Sequence, residues 1–585
     1  VPAKETMKSL KQGTVSSFET ANNFEFTAKN FSENKGEVAN TLYIQAEDAA
    51  GNLSEISEFK FNIDMAAPVL SVGGYRTYYT SGSNPVLEFT STDSNKVKEI
   101  EFTISKGGAE VSSGTNGITV DNATAINEIN DISTATRKVT FTADGTHDGV
   151  YTVSAKSKDI LERESNTITI EITVDCVKPV MNGGLKSGNA EITQDTYFRS
   201  STQRFTGSYN EATSGMATVY YWLSYPGRTA SVPGDLTADS AYDGKIEYTT
   251  SSSGAFDLIL DTLKDNIVEN GEVTANILYV QAIDKAGNKS DVKQFTINMD
   301  SKAPVVGKAD AAAYYKKDAA SAEIKIVSTD GQKFAAETEA TLTITKNGQE
   351  IGAENYSTNY ITVSNVVSAD GKTLTTTISI PRDGSADGEY TVSTSVADAA
   401  GNNASGNPVT FIVDGTAPEF TENSLKVGNQ ALSTGFYKNN VQKISGTYTD
   451  AETGSGMETL YYYVKNPSAT SDAPTDLSAG GTGIGEASFK GNDFSFTLED
   501  LSNNQNGNGS TVYIQAKDAA GNTSAVKQFT MNVDTTAPEL AAMFYKVGDG
   551  SIKAAGGTAY ANGSAAITVY GNYSDEQSGV GELTF

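Results

Sequence analysis

Across 585 residues the chain has one cysteine, Cys176, one histidine, His147, and one tryptophan, Trp222. A lone cysteine excludes an intrachain disulfide framework, and with a lone histidine it excludes a Cys/His zinc site. Any scheme that needs a histidine general base would have to use His147, which sits in the turn-like run "ADGTHDGVY" and reads as a solvated loop residue. Cations are scarce as well: 43 Lys and Arg stand against 72 Asp and Glu, a formal charge of −29. That balance disfavours nucleic acid and anionic membranes, which are held by cationic side chains, and leaves divalent cations as the natural counterpart. No apolar run approaches the roughly 18 residues of a membrane span, and no basic segment followed by an apolar one opens the chain.

What the chain does have is repetition. "QAEDAAGNLS" at 45–54 returns as "QAIDKAGNKS" at 281–290, "SVADAAGNNA" at 395–404 and "QAKDAAGNTS" at 515–524. Asp48, Asp284 and Asp518 lie 236 and 234 residues apart, and Asp159, in "AKSKDILERES", precedes Asp398 by 239. Two unit types therefore alternate. The runs "FNIDMAAP", "ITVDCVKP", "INMDSKAP", "FIVDGTAP" and "MNVDTTAP" place further aspartates at 64, 175, 300, 414 and 534, spaced 111, 125, 114 and 120 residues apart. Each interval is the length of one small sandwich domain.

Within a unit the apolar pattern has period two, as in "LYIQAED" and "TITIEITVD", which predicts half-buried strands. Gly, Asn, Asp and Ser clusters separate these runs, and 54 glycines with only scattered helical periodicity predict antiparallel sheets joined by turns. The D-x-A-G-N run reads as the last hairpin of each unit: Asp bonds backbone N–H groups ahead of it, while Gly and Asn tolerate a left-handed turn. "DGVYTVSA" at 148–155 and "DGEYTVST" at 387–394 put a Tyr at the start of the next-to-last strand, where an immunoglobulin-type sandwich carries its tyrosine corner.

These motifs, with an acidic "YNEATSGM" (209–216), "YTDAETGSGM" (448–457) or "YSDEQSGV" (573–580) earlier in the unit, resemble the bacterial Ig-like repeats of large surface proteins and adhesins. The expected fold is all-β, a tandem array of immunoglobulin-like antiparallel β-sandwich domains. Whole units are expected at 65–175, 176–300, 301–414 and 415–534, types B, A, B and A in turn. Residues 1–64 match the C-terminal half of type A and 535–585 its N-terminal half. Two readings of those ends stay open: a window on a longer array, or two halves that complete one another between chains and so build a filament.

In an Ig-type sandwich the B–C and F–G loops lie at the end where the chain enters. Three acidic motifs are thereby expected to converge four times: Asp64, Asp93 and Asp159; Asp175, Glu211 and Asp284; Asp300, Asp330 and Asp398; and Asp414, Asp450, Glu452 and Asp518. Converging carboxylates repel, and a hard cation with six to eight oxygen ligands would relieve them while tying two domains together. The resemblance implies calcium at such junctions, less well at Asp159, where "DILER" replaces "DAAGN". The alternative for any single aspartate is an Asx turn or a polar linker cap.

No enzyme is expected: a catalytic carboxylate pair is needed once, not in every repeat. The expected role is a structural stalk or fibre segment of an extracellular bacterial surface protein. Its partners would be neighbouring Ig-like domains of the same or an adjacent chain. The alternative is an array of modules binding glycan or host protein through aromatic faces such as "VYYWLSY" (219–225) and "LYYYV" (460–464), with Trp222 as the one unusual aromatic.

Overall fold

A computed structural model describes residues 24–27, 29–33, 39–121, 133–238, 241–248, 254–269, 272–450, 453–558 and 560–585. The chain divides into two units, 1–300 and 301–585.

In the first unit, Val69–Val72, Val86–Thr92, Thr134–Phe141 and Ile118–Val120 form one antiparallel sheet. Facing it is a second sheet in the order Tyr78–Tyr79, Ile168–Val174, Gly149–Asp159, Val97–Lys106 and Ala109–Glu110. Tyr78–Tyr79 runs parallel to Ile168–Val174 and the other pairs are antiparallel. This is the two-sheet plan of an immunoglobulin-like sandwich. Alternation supplies the core: Leu87 and Phe89 from one sheet meet Ile100, Tyr151, Val153, Ile170 and Ile172 from the other, all at most 3% exposed.

The sandwich that follows repeats the plan, with Gln203–Asn210 and Ala255–Leu260 against Tyr197–Phe198, Lys293–Met299, Asn276–Asp284, Met216–Ser224 and Gly244–Glu247. In the second unit, Val305–Val306 to Val409–Asp414 and Glu419–Phe420 to Lys527–Val533 do the same. In the latter, Ile484–Lys490 pairs with both Met457–Lys465 and Asp493–Leu498, so hydrogen bonding runs continuously from one sheet into the other.

The tyrosine corner is present in both sandwiches where it was expected. Tyr390 Oη donates to the Ala386 carbonyl at 2.6 Å, and Tyr151 Oη donates to the His147 carbonyl. His147 is spent in that turn, its Nδ1 3.0 Å from Asp144 Oδ1.

At the start of the chain, residues 1–23 of the expected half-unit lie outside the described residues; Asn40–Ile44 and Ser57–Phe61 pair as a hairpin. At the other end, Glu539–Val547 lies between Lys553–Ala554 and Ile567–Ser574. Leu540, Phe544, Val569 and Tyr573 of that sheet stay exposed.

Candidate metal centres at the sandwich joints

The two loop carboxylates of each cluster continue core rows by one period-two step. Along Gly149–Asp159 the inward side chains are Tyr151, Val153, Ala155, Ser157 and then Asp159; along Asn276–Asp284 they are Leu278, Val280, Ala282 and then Asp284. The rows Val512, Ile514, Ala516 to Asp518 and Tyr390, Val392, Thr394, Val396 to Asp398 end alike. Strand alternation thus delivers a carboxylate to the end of the core. The rows ending at Asp93, Glu211, Asp330 and Asp450 follow Val86–Thr92, Gln203–Asn210, Ala322–Thr329 and Gln442–Thr449 in the same way.

The linker aspartate joins them. Asp64, Asp93 and Asp159 place carboxylate oxygens within 4.8 Å of one another, as do Asp175, Glu211 and Asp284, and in the second unit Asp414, Asp450 and Asp518. Asp330 and Asp398 also approach within 4.8 Å. Asp300 closes the first unit, its amide bonded to the Phe198 carbonyl at 2.9 Å. Glu452 lies outside the described residues.

Burial is deep: Asp159, Asp175, Asp414 and Asp518 are fully buried, and Asp284 is 2% exposed. Loss of water disfavours the charged form of a carboxyl, and four members of these clusters show it. Asp284 is pushed up to about 6, by burial first and by the Asp175 charge as well. Burial likewise raises Asp518, with Asp414 adding to it, and Glu211, with Asp175 beside it. Asp93 is raised by burial and by the charges of Asp64 and Asp159. Each group therefore resists carrying its charge beside the others.

Part of the hairpin is an Asx turn. Asp284 Oδ1 accepts from the Gly287 and Asn288 amides at 2.7 and 2.8 Å, and Asp518 Oδ1 from Gly521 and Asn522 at 2.7 and 2.8 Å. Gly287 and Gly521 both take the left-handed conformation at φ +97°. The asparagine does not share that role, contrary to the sequence expectation; its side chain works instead.

Asn288 Nδ2 donates to Asp284 Oδ2 at 2.8 Å and to the linker carbonyl of Asp175 at 2.9 Å, while its Oδ1 accepts from Thr80 Oγ1 of the preceding sandwich. Asn522 repeats this with Asp518 Oδ2 at 2.8 Å, the Asp414 carbonyl at 2.9 Å and the Lys317 amide at 2.7 Å. The amide group is a latch between consecutive sandwiches. The linker aspartate is used twice as well: Asp175 Oδ1 accepts from the Val177 amide and Oδ2 from the Ser214 amide, both at 3.1 Å. Asp414 binds the Thr416 and Ser455 amides at 3.2 and 2.7 Å.

The serine two residues after the latch, which sequence reasoning passed over, closes the hairpin. Ser290 Oγ accepts from the Ala282 amide and Ser524 Oγ from the Ala516 amide, each at 2.9 Å. Its signal was the N-x-S ending shared by "GNLS", "GNKS" and "GNTS". Gln281 and Gln515 fall between the core-row positions, yet they too are buried. They are 5% and 4% exposed, accepting from the Leu236 and Leu477 amides at 2.8 and 2.6 Å.

At Asp159 the latch is different. Arg163 stands where the other hairpins have asparagine; its Nε donates to Asp159 Oδ2 at 2.8 Å and its Nη2 pairs with Asp64 Oδ1. Trp222 is not presented to solvent: it is 4% exposed and covered by the Arg228 guanidinium 4.0 Å from its ring centroid. Cys176, half-buried beside the first core, has its thiol pushed up to about 11 by burial and by Asp148.

Three carboxylates from a linker and two loops, buried and within reach of one oxygen-liganded ion, are a donor set suited to a hard cation. No helix of the described residues is long and apolar enough to cross a membrane.

Residues 315–415 match the family model described as a bacterial Ig-like domain. No curated protein matches the chain. Among solved structures, an ICAM-5 D1–D4 ectodomain fragment aligns at 10% identity over 80% of this chain and 100% of its own, with TM-score 0.33. A 1.5-MDa bacterial ice-binding adhesin aligns at 14% over 62% and 99%, with TM-score 0.25. The CbhA fibronectin(III)-like modules of Clostridium thermocellum align at 14% over 39% and 95%, with TM-score 0.19. Scores this low carry no functional weight.

Proposed function

With residues 315–415 a bacterial Ig-like domain and the other sandwiches built on the same plan, we propose that the chain is a structural segment of an extracellular bacterial surface protein. Its work is mechanical: serial sandwiches hold another part of the protein at a distance, and stiff joints keep them in line. The reading is non-catalytic and has calcium as the joint ion, held by Asp175, Glu211 and Asp284 and by Asp414, Asp450 and Asp518. The observation that carries it is the repeated carboxylate triad at the point where one sandwich meets the next.

The chain's own residues set up the joint before any ion arrives. Asn288 and Asn522 fix the linker carbonyls, and backbone amides orient the carboxylates, so little ordering remains to be done on binding. Calcium would supply the missing positive charge. Trp222, the one unusual aromatic on which a glycan-binding alternative could draw, is buried.

Calorimetric titration and small-angle scattering with and without chelator test this. Binding at roughly 10⁻⁴ to 10⁻³ M, the range of extracellular calcium modules, with a stiffer profile in calcium, is the expected result. No heat at millimolar calcium and an unchanged profile would leave the joints as hydrogen-bonded latches alone.

A further inference from the structure

The joint at Asp159 keeps the acidic triad of its neighbours and changes what balances it. Asp64, Asp93 and Asp159 converge as tightly as Asp175, Glu211 and Asp284. The hairpin backbone is also shared: the amide three residues after the aspartate bonds the aspartate's carbonyl in both, Glu162 to Asp159 at 3.1 Å and Gly287 to Asp284 at 3.2 Å. What differs is the side chain four residues after the aspartate. Asn288 is neutral, and among the described residues no Lys or Arg pairs with Asp175, Glu211 or Asp284. Arg163 carries a permanent charge into the same place and pairs with the hairpin and linker aspartates together.

We propose that Arg163 is the resident cation of its joint, and that the residue at this latch position decides whether a joint is closed by a divalent ion or by the chain itself. The proposal rests on the calcium reading above and deepens it. A guanidinium bridging two of three donor carboxylates both blocks the ion's position and repels its charge. The third, Asp93, is 8% exposed and its Oδ2 has no hydrogen-bond partner. The donor set therefore survives intact beneath the arginine. The same hairpin is charge-matched further out, with Lys158 on Glu101 at 2.8 Å, Lys156 on Glu164 at 2.9 Å and Lys98 on Glu162. The array would then combine asparagine joints that stiffen with calcium and one arginine joint that is stiff without it.

The test is calcium stoichiometry by isothermal titration on the full chain and on Arg163→Asn, Asn288→Arg and Asn522→Arg. Arg163→Asn is expected to gain one calcium per chain, and each asparagine-to-arginine variant to lose one. If the parent binds calcium and Arg163→Asn binds no more, the latch rule is wrong and the calcium reading stands. If neither binds calcium, the calcium reading fails and takes the latch rule with it. Should Arg163→Asn not fold, the two reverse variants decide: retention of the parent count in both overturns the proposal.

Discussion

The hairpins at Asp159 and Asp284 sit in the same unit, end equivalent core rows and make the same main-chain turn, yet they treat buried negative charge in opposite ways. At Asp159 an arginine pairs with the fully buried carboxylate and with Asp64, whose side chain is 3% exposed. At Asp284 an asparagine bonds the carboxylate without neutralising it, and burial pushes that carboxyl up to about 6. One scaffold thus has two solutions to the same cost. The neutral latch gains reach, since Asn288 touches both the linker carbonyl and Thr80, and it brings no positive charge to the cluster.

Loss of Arg163 should have the largest effect. Arg163→Ala leaves two buried carboxylates without their partner, and the expected loss is about 3 kcal/mol in the first sandwich, read as faster hydrogen exchange at the Leu161 and Arg163 amides.

Next is pH. Asp284 has its folded value raised from 3.8 to about 6, so its contribution is fully present below pH 3.8 and is lost as pH rises through 6. In chelator, the second sandwich should lose stability between those values, and Asp284→Asn should flatten the profile. Trp222 lies in this sandwich and is the chain's one tryptophan, so its fluorescence reports the transition cleanly. A wild-type profile no steeper than the variant's would contradict the burial argument.

Asn288→Ala removes the latch and should cost about 1–2 kcal/mol, seen as a lower urea midpoint by the same fluorescence. Gly287→Ala meets no atom within 4 Å at its added Cβ but is held at φ +97°, so backbone strain alone should cost about 1 kcal/mol. The smallest effect sharpens the contrast from the other side. Lys156→Ala breaks an ion pair whose partners are 42% and 46% exposed, and the change should stay under about 0.5 kcal/mol.

Much of this was legible in the chain. Period-two rows such as Tyr151, Val153 and Ala155 predict the strands, and "DGxYTV" predicts the corner that Tyr390 makes with Ala386. The carboxylate clusters followed from loop order in the sandwich, because the two loop carboxylates of each cluster continue inward-facing rows and the linker enters beside them. The latch was not legible. A motif shows that Asn52, Asn288, Asn402 and Asn522 share a position, yet the same residue would serve a left-handed turn, and only the fold reveals a linker carbonyl 2.9 Å from Nδ2. Arg163 looked like a degraded copy of the motif for the same reason. Its partner Asp64 is 99 residues away in sequence, and no local pattern connects them.

On the proposed reading, calcium closes the asparagine joints and leaves the arginine joint alone. Hydrogen exchange on the unmodified chain, with calcium and with chelator, decides it. Calcium should slow exchange at the Asn288 and Asn522 amides, and the Arg163 amide should exchange equally in both. Equal protection gained at all three hairpins, or at none, would contradict it.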